Sequence, residues 1–453
     1  MNASSPLTQL VAALLVVLPA ADLIRADVAH GGQLGLHTAI DKPVLLADSQ
    51  QTAYLRVGLS GFDLDNGGQR RPVNIAVVID ISGSMRGEKI ARAKEAAIMA
   101  IDRLGTADII SVVTYQSTVD VLIPATKVTD KQAVFRKIRS INAGGSTALF
   151  AGVSKGAEEL RKFLADDRPA RLVLLSDGLA NVGPQTPAEL GALGRSLIKE
   201  GISVTTIGLG LNYNEDLMTR LAYDSDGNHY FVEEAGDLAA VFDSEFGQAL
   251  SIVARDIGTQ ITCAPGIRPV RLLGRSGAIN GQNVFVLVNQ LDSKHEKFIL
   301  LEIEVPPMPA DSTRPLATVS VTYDNMRTGT TDRLGRSLEV SFTRSKELVE
   351  ARTNTTVAVD VVELIAAERN ALAVQLRDAG KIADARRNLL LNERYLGSNA
   401  AKYGSKRLGE YAVQNAEDAD KLEDRYWGKQ RKIMRADQLH RSQQQSAGRA
   451  GKR

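Results

Sequence analysis

Apolar positions fall into three regimes along the chain. Between residues 73 and 254, short continuous apolar runs alternate with segments whose apolar residues recur every three or four positions. The run at 73–79 (VNIAVVI) is β-branched and nearly unbroken, the pattern of a strand covered on both faces, 172–175 reads as a second buried strand, and 108–115 and 202–209 read as further strands. Residues 119–123 and 230–232 read as shorter strands. Ile90, Ala93, Ala97, Ile101 and Leu104 share one helical face, and 130–141, 148–164, 187–200, 215–222 and 237–254 read as further helices. This alternation predicts an α/β fold, a doubly wound and mostly parallel sheet with helices on both faces.

The flanks alternate with period two instead. Before the α/β region, 33–40 and 53–59 read as strands; after it, so do 259–262, 270–273, 284–288, 298–305, 317–323 and 337–342, separated by Gly, Pro, Asn and Asp turns. Two front strands make no sheet alone, and six behind have room for neighbours. The pattern predicts a β-sandwich over 31–71 plus 255–344, interrupted by the α/β domain at 72–254, with independent flanks as the other arrangement.

From residue 345 to 424 the chain turns helical. Residues 357–378 and 382–392 read as a helical hairpin broken at Ala379-Gly380, and the passage around that break is similar to a single tetratricopeptide turn. Tyr403, Tyr411, Tyr426 and Trp427 are candidates to seal it. The last segment, 425–453, carries Arg425, Lys429, Arg431, Lys432, Arg435, Arg441, Arg449, Lys452 and Arg453 against Asp437 alone, and reads as a disordered basic tail open to contact with an anionic surface. At the other end, residues 10–21 (LVAALLVVLPAA) form an apolar run of signal-peptide length. The first 29 residues are therefore expected to be an export signal or an uncleaved anchor, and the protein to be periplasmic or secreted.

Chemistry concentrates where the apolar runs end. Asp80, Ser82 and Ser84 follow the strand at 73–79 and precede a helix, at the carboxyl edge of the sheet where open α/β sheets bind ligands. Residues 143–147 (AGGST) form a glycine turn that presents Thr147, and the strand at 172–175 delivers Asp177. Two carboxylates and three hydroxyls are an oxygen-only set, suited to Mg²⁺ or Mn²⁺, with Ca²⁺ as a further hard cation, and unsuited to zinc. Neutral hydroxyls leave the ion net positive charge and an open position for a carboxylate from another molecule.

These residues resemble the metal-ion-dependent adhesion site of the von Willebrand factor A domain family, a Rossmann-like fold, over about residues 72–254. Asp80, Ser82, Ser84, Thr147 and Asp177 match its pattern without departure. The resemblance implies that the serines and threonine bind the metal directly and that one or both aspartates act through water. It extends to bacterial exported proteins related to the calcium-activated chloride channel-like and inter-α-trypsin heavy-chain groups, and implies metal-dependent protein binding through a partner's Asp or Glu. The loops at 183–187 and 211–214 are expected to select that partner. A domains also resemble subunits that work beside AAA ATPases in chelatases, so an intracellular assembly subunit is the alternative.

Composition narrows the classes further. In 453 residues the net charge is +2, so no global field recommends nucleic acid. The five histidines show no HExxH spacing, no Gly-x-Ser-x-Gly elbow occurs, Gly208 and Gly210 lack the third glycine of a dinucleotide loop, and Gly144-Gly145-Ser146-Thr147 lacks a phosphate-loop lysine. No enzyme activity is expected. The stretches beginning at Asp63 and Asp224 are similar to fragments of calcium loops but lack the downstream glutamate. Cys263 is alone and makes no intramolecular disulfide.

Overall fold

The computed structural model describes residues 32–64, 70–164 and 168–447. The expected leader at 10–21, residues 65–67 of the first calcium-like fragment and residues 448–453 of the tail lie outside the described residues. Among the described residues, no helix is long and apolar enough to cross a membrane.

Strands β1 (Gly35–Ile40), β2 (Val44–Leu46) and β3 (Gln51–Ser60) come first. The α/β region follows as β4 (Asn74–Asp80), α1 (Glu88–Asp102), β5 (Ile109–Tyr115), β6 (Val119–Lys127), α2 (Lys131–Arg139), α3 (Leu149–Arg161), β7 (Ala170–Ser176), α4 (Pro187–Lys199), β8 (Ile202–Leu209), α5 (Glu215–Asp224), β9 (His229–Val232) and α6 (Leu238–Ala249). Its sheet has the order β6-β5-β4-β7-β8-β9 and is parallel except at β6, which runs antiparallel to β5. Every residue of β4, β5, β7 and β8 is buried, which is why their sequences lack alternation. One face packs on α1, α2 and α6 through Ile90, Ile138 and Phe242, the other on α3, α4 and α5 through Val153, Leu190 and Leu221. Local chemistry starts the helices: Thr186 and Glu189 form a reciprocal capping box at α4, with a proline in the first turn.

The helix expected over 237–254 stops at Ala249. Ile252, Val253 and Ala254 instead open β10 (Ile252–Cys263), drawn out by pairing with β13 (Asn283–Asp292) and β15 (Thr313–Asn325), ladders invisible to local spacing. With β11 (Arg268–Leu273), β12 (Ala278–Asn280), β14 (His295–Val305) and β16 (Thr330–Thr343), these strands form two sheets ordered β1-β3-β14-β11 and β12-β13-β10-β15-β16-β2. β3 pairs antiparallel with β14, Leu55 opposite Leu301, although the whole α/β region separates them in the chain. Inward residues of both sheets, among them Leu55, Val57, Leu301, Ile303, Ile257, Val286 and Val321, share one hydrophobic core.

The two units are joined through buried polar groups. Arg171, at the start of β7, donates to Gln290 Oε1 at 2.9 Å, and Gln290 Nε2 donates back to the Ala170 carbonyl at 3.0 Å. Arg171 also reaches Glu245 on α6.

The C-terminal region departs most from its sequence pattern. After α7 (Lys346–Ala351), four long helices follow: α8 (Thr355–Asp378), α9 (Ile382–Tyr403), α10 (Lys406–Asp420) and α11 (Asp424–Ser442). Val357, Val361 and Leu364 of α8 cover the outer face of the first sheet at Phe298 and Leu300. The hairpin expected at 357–378 and 382–392 is present as α8 and α9, within a larger helical array, and one expectation is corrected: residues 425–442 of the basic tail form a helix. A short strand β17 (Gln445–Ala447) then pairs with β14. The physical reason is that the basic side chains find acidic partners far away in sequence. Arg431 pairs with Glu215, Asp216 and Asp378, and Arg441 with Glu363. Tyr411 is buried against this array, whereas Tyr426 is exposed.

Candidate metal centre

Parallel strands β4 and β7 end side by side, Ile79 opposite Leu175, so the residues immediately after them meet at one sheet edge. Asp80 closes β4 with no exposure, its Oδ1 accepting the Ser82 backbone N–H at 2.8 Å and its Oδ2 the Ser176 hydroxyl at 2.7 Å. Burial raises the Asp80 carboxyl above the usual range, against the lowering effect of these hydrogen bonds. Asp177, equally buried, accepts the Ser84 hydroxyl at 2.7 Å on Oδ1 and the Lys89 ammonium on Oδ2. Ser82 Oγ and Ser84 Oγ lie 3.1 Å apart.

Thr147 arrives from a third loop, stitched to the first by two backbone bonds: Gly144 N–H to the Ile81 carbonyl at 2.6 Å and Gly83 N–H to the Gly145 carbonyl at 3.0 Å. Gly145 has φ +85°, and a Cβ there would stand 2.5 Å from Gln116 Oε1, so this close turn requires glycine. The Thr147 N–H donates to Asn181 Oδ1 at 2.8 Å, which ties the loop to the segment after Asp177.

The fit to a cation shows at Gly178. A Cβ on this residue would lie 3.2 Å from Ser84 Oγ, 3.3 Å from Thr147 Oγ1 and 3.9 Å from Ser82 Oγ. Three hydroxyl oxygens thus surround a small space left by a missing side chain, with two buried carboxylates behind them. All five sequence-predicted residues are brought together, and the oxygen-only donor set fits a hard divalent cation. A cleft of about 630 Å³ opens over them, lined also by Leu179, Leu211, Asn212 and Tyr213. Leu179, Leu211 and Val182 are exposed, at 59%, 49% and 38%.

Of the two loops expected to select a partner, 211–214 contributes to this cleft. Pro187 of the other lines a separate cavity against α8 and α11. The second calcium-like fragment is consumed by ion pairs: Asp224 with Arg195 and Arg220, Asp226 with Arg275 and Lys297. Sequence reasoning missed Ser176, Gly178, Asn181 and Lys89. Ser176 and Gly178 flank Asp177, so adjacency was their only signal.

Tyr213 is positioned from two sides. Gly208 leaves room for its ring, since a Cβ there would approach within 2.1 Å of it. Its hydroxyl bonds His229 Nε2 at 3.3 Å, and the Lys432 ammonium sits 4.1 Å from the ring centroid while donating to the Tyr213 carbonyl at 2.7 Å. Burial, then the nearby Lys432 charge, push His229 down to about 3, so the imidazole is neutral and structural.

Residues 74–244 match the family model of the von Willebrand factor type A domain. Among curated relatives, YfbK of Escherichia coli is 29% identical over 194 residues, a match that covers 42% of this chain and 34% of YfbK. Inter-alpha-trypsin inhibitor heavy chain H3 of Rattus norvegicus is 32% identical over 166 residues, 34% of this chain and 18% of that one. These alignments therefore span a third of the length of the first relative and less of the second. Among solved structures, a von Willebrand factor type A protein from Catenulispora acidiphila superposes with a TM-score of 0.68 over 85% of this chain and 89% of its own, at 17% identity, a likeness of fold.

Proposed function

From a chain whose residues 74–244 form a von Willebrand factor type A domain, we propose that the protein is an exported adhesion or scaffold protein that binds a partner protein in a metal-dependent way. The domain itself supports an interaction role. The carrying observation for the metal is the cradle at Gly178, where the hydroxyls of Ser82, Ser84 and Thr147 converge in front of Asp80 and Asp177. A bound Mg²⁺, or Mn²⁺ or Ca²⁺ in its place, supplies a Lewis-acidic position that accepts an Asp or Glu carboxylate.

The protein's own residues shape that contact. Hydrogen bonds from Ser176 and the Ser82 backbone hold Asp80 in place, and those from Ser84 and Lys89 hold Asp177. Leu179, Val182 and Leu211 offer apolar surface beside a polar centre, the arrangement that excludes water around an interfacial ion contact. The apolar run at 10–21 is the support for export.

The test is calorimetric titration of Mg²⁺ into the wild type and Ser84→Ala, followed by capture of envelope proteins on both in Mg²⁺ and in EDTA. Saturable binding and capture confined to wild type with Mg²⁺ support the reading. Capture that persists in EDTA and with Ser84→Ala refutes it and moves recognition to another surface.

A further inference from the structure

Lys89 is the second residue of α1, where the partial positive charge of a helix N-terminus disfavours a cation. It nevertheless turns its ammonium inward onto Asp177 Oδ2. Asp177 has no solvent exposure and its other oxygen is taken by Ser84, so Lys89 is the one ammonium or guanidinium paired with it among the described residues. The Lys89 side chain is 30% exposed and passes over Gly210 at the edge of the cleft, with Nζ 3.8 Å from where a Cβ on that glycine would stand. Its path to solvent is short.

The charge balance of the centre changes when an ion enters. Two buried carboxylates and neutral hydroxyls carry −2. A divalent ion at the cradle balances that alone, and an ammonium left on Asp177 beside it adds like-charge repulsion. We propose that Lys89 is the resident counter-cation of the metal-free centre, that a divalent ion displaces it from Asp177 toward the rim, and that this exchange sets the metal affinity. The proposal rests on the metal reading above. It assigns Lys89 as a positioning residue that holds Asp177 when no ion does.

Two readouts test it, using the full chain and Lys89→Met beside Lys89→Arg. Displacement predicts that Lys89→Met binds Mg²⁺ about tenfold or more tightly than wild type by calorimetry, since no internal cation competes. It also predicts a lower melting temperature for Lys89→Met in EDTA and a gap that closes in saturating Mg²⁺, because the loaded form no longer uses the lysine. Lys89→Arg, which keeps the charge, stays near wild type in both. If the stability gap is the same with and without Mg²⁺, the lysine stays paired in the loaded form and displacement is wrong. Equal affinity for Mg²⁺ in wild type and Lys89→Met overturns the proposal while leaving the metal site standing. Absence of Mg²⁺ binding in every variant overturns both.

Discussion

Lys432 donates to the Glu215 carboxylate at 2.5 Å across 217 positions of sequence, and both side chains are buried. The pair fastens the C-terminal helix α11 to the first turn of α5. The loop before that turn supplies Leu211, Asn212 and Tyr213 to the metal cleft. Arg431 and Arg435 add contacts to Asp216 on the same turn. The rim of the site is thus held by a segment outside the domain that owns it.

Replacing Lys432 by Met removes one of the two cations on Glu215, Arg431 being the other, and is expected to cost about 1–3 kcal/mol, the loss of one charged hydrogen bond. The double variant Lys432→Met, Glu215→Gln removes both charges and should recover part of the loss. A denaturant-unfolding double-mutant cycle measures the coupling; additive losses would mean that the pair does not fasten the helix.

Gly178→Ala places a methyl group among Ser82, Ser84 and Thr147. The expected outcome is loss of saturable Mg²⁺ heat in calorimetry, with a stability change within about 1–3 kcal/mol for the crowding. Unchanged Mg²⁺ affinity would show that the ion sits elsewhere.

Asp418 is buried on α10, and burial, then repulsion from Asp437, push its carboxyl up to about 7. Its folded value lies above its unfolded one, so the stability it contributes is full below about pH 4 and is lost as pH rises through about 7. Asp418→Asn, which keeps a polar group opposite Gln430, should stabilise the protein by roughly 2–4 kcal/mol at pH 8 and little at pH 4. Urea unfolding at the two pH values decides it.

Asp226 shows the opposite sign. Burial raises its carboxyl, but attraction to the Lys297 ammonium and the Arg275 guanidinium outweighs that and holds it at about 2. Its contribution is present above about pH 4 and is lost as pH falls through about 2. Asp226→Asn strands two buried cations and should cost about 3–5 kcal/mol at neutral pH. The wild-type advantage should shrink on acidification below pH 4, monitored by circular dichroism melts.

The sequence by itself determined the α/β alternation and the five metal-site residues. Strand burial is written locally in nearly unbroken apolar runs such as 73–79, and parallel strands deliver the loops at their carboxyl ends to one edge, so Asp80 and Asp177 had to be neighbours once β4 and β7 were adjacent. Only the tertiary structure decided the rest. That β3 pairs with β14, that 252–254 is strand, and that Lys89 points at Asp177 each depend on contacts between distant residues, to which periodicity is blind. The basic C-terminal segment makes the reason plainest. A run of Arg and Lys reads as solvated because charge is costly to bury unpaired, and its partners Glu215, Asp216 and Glu363 come within reach only after the chain has folded.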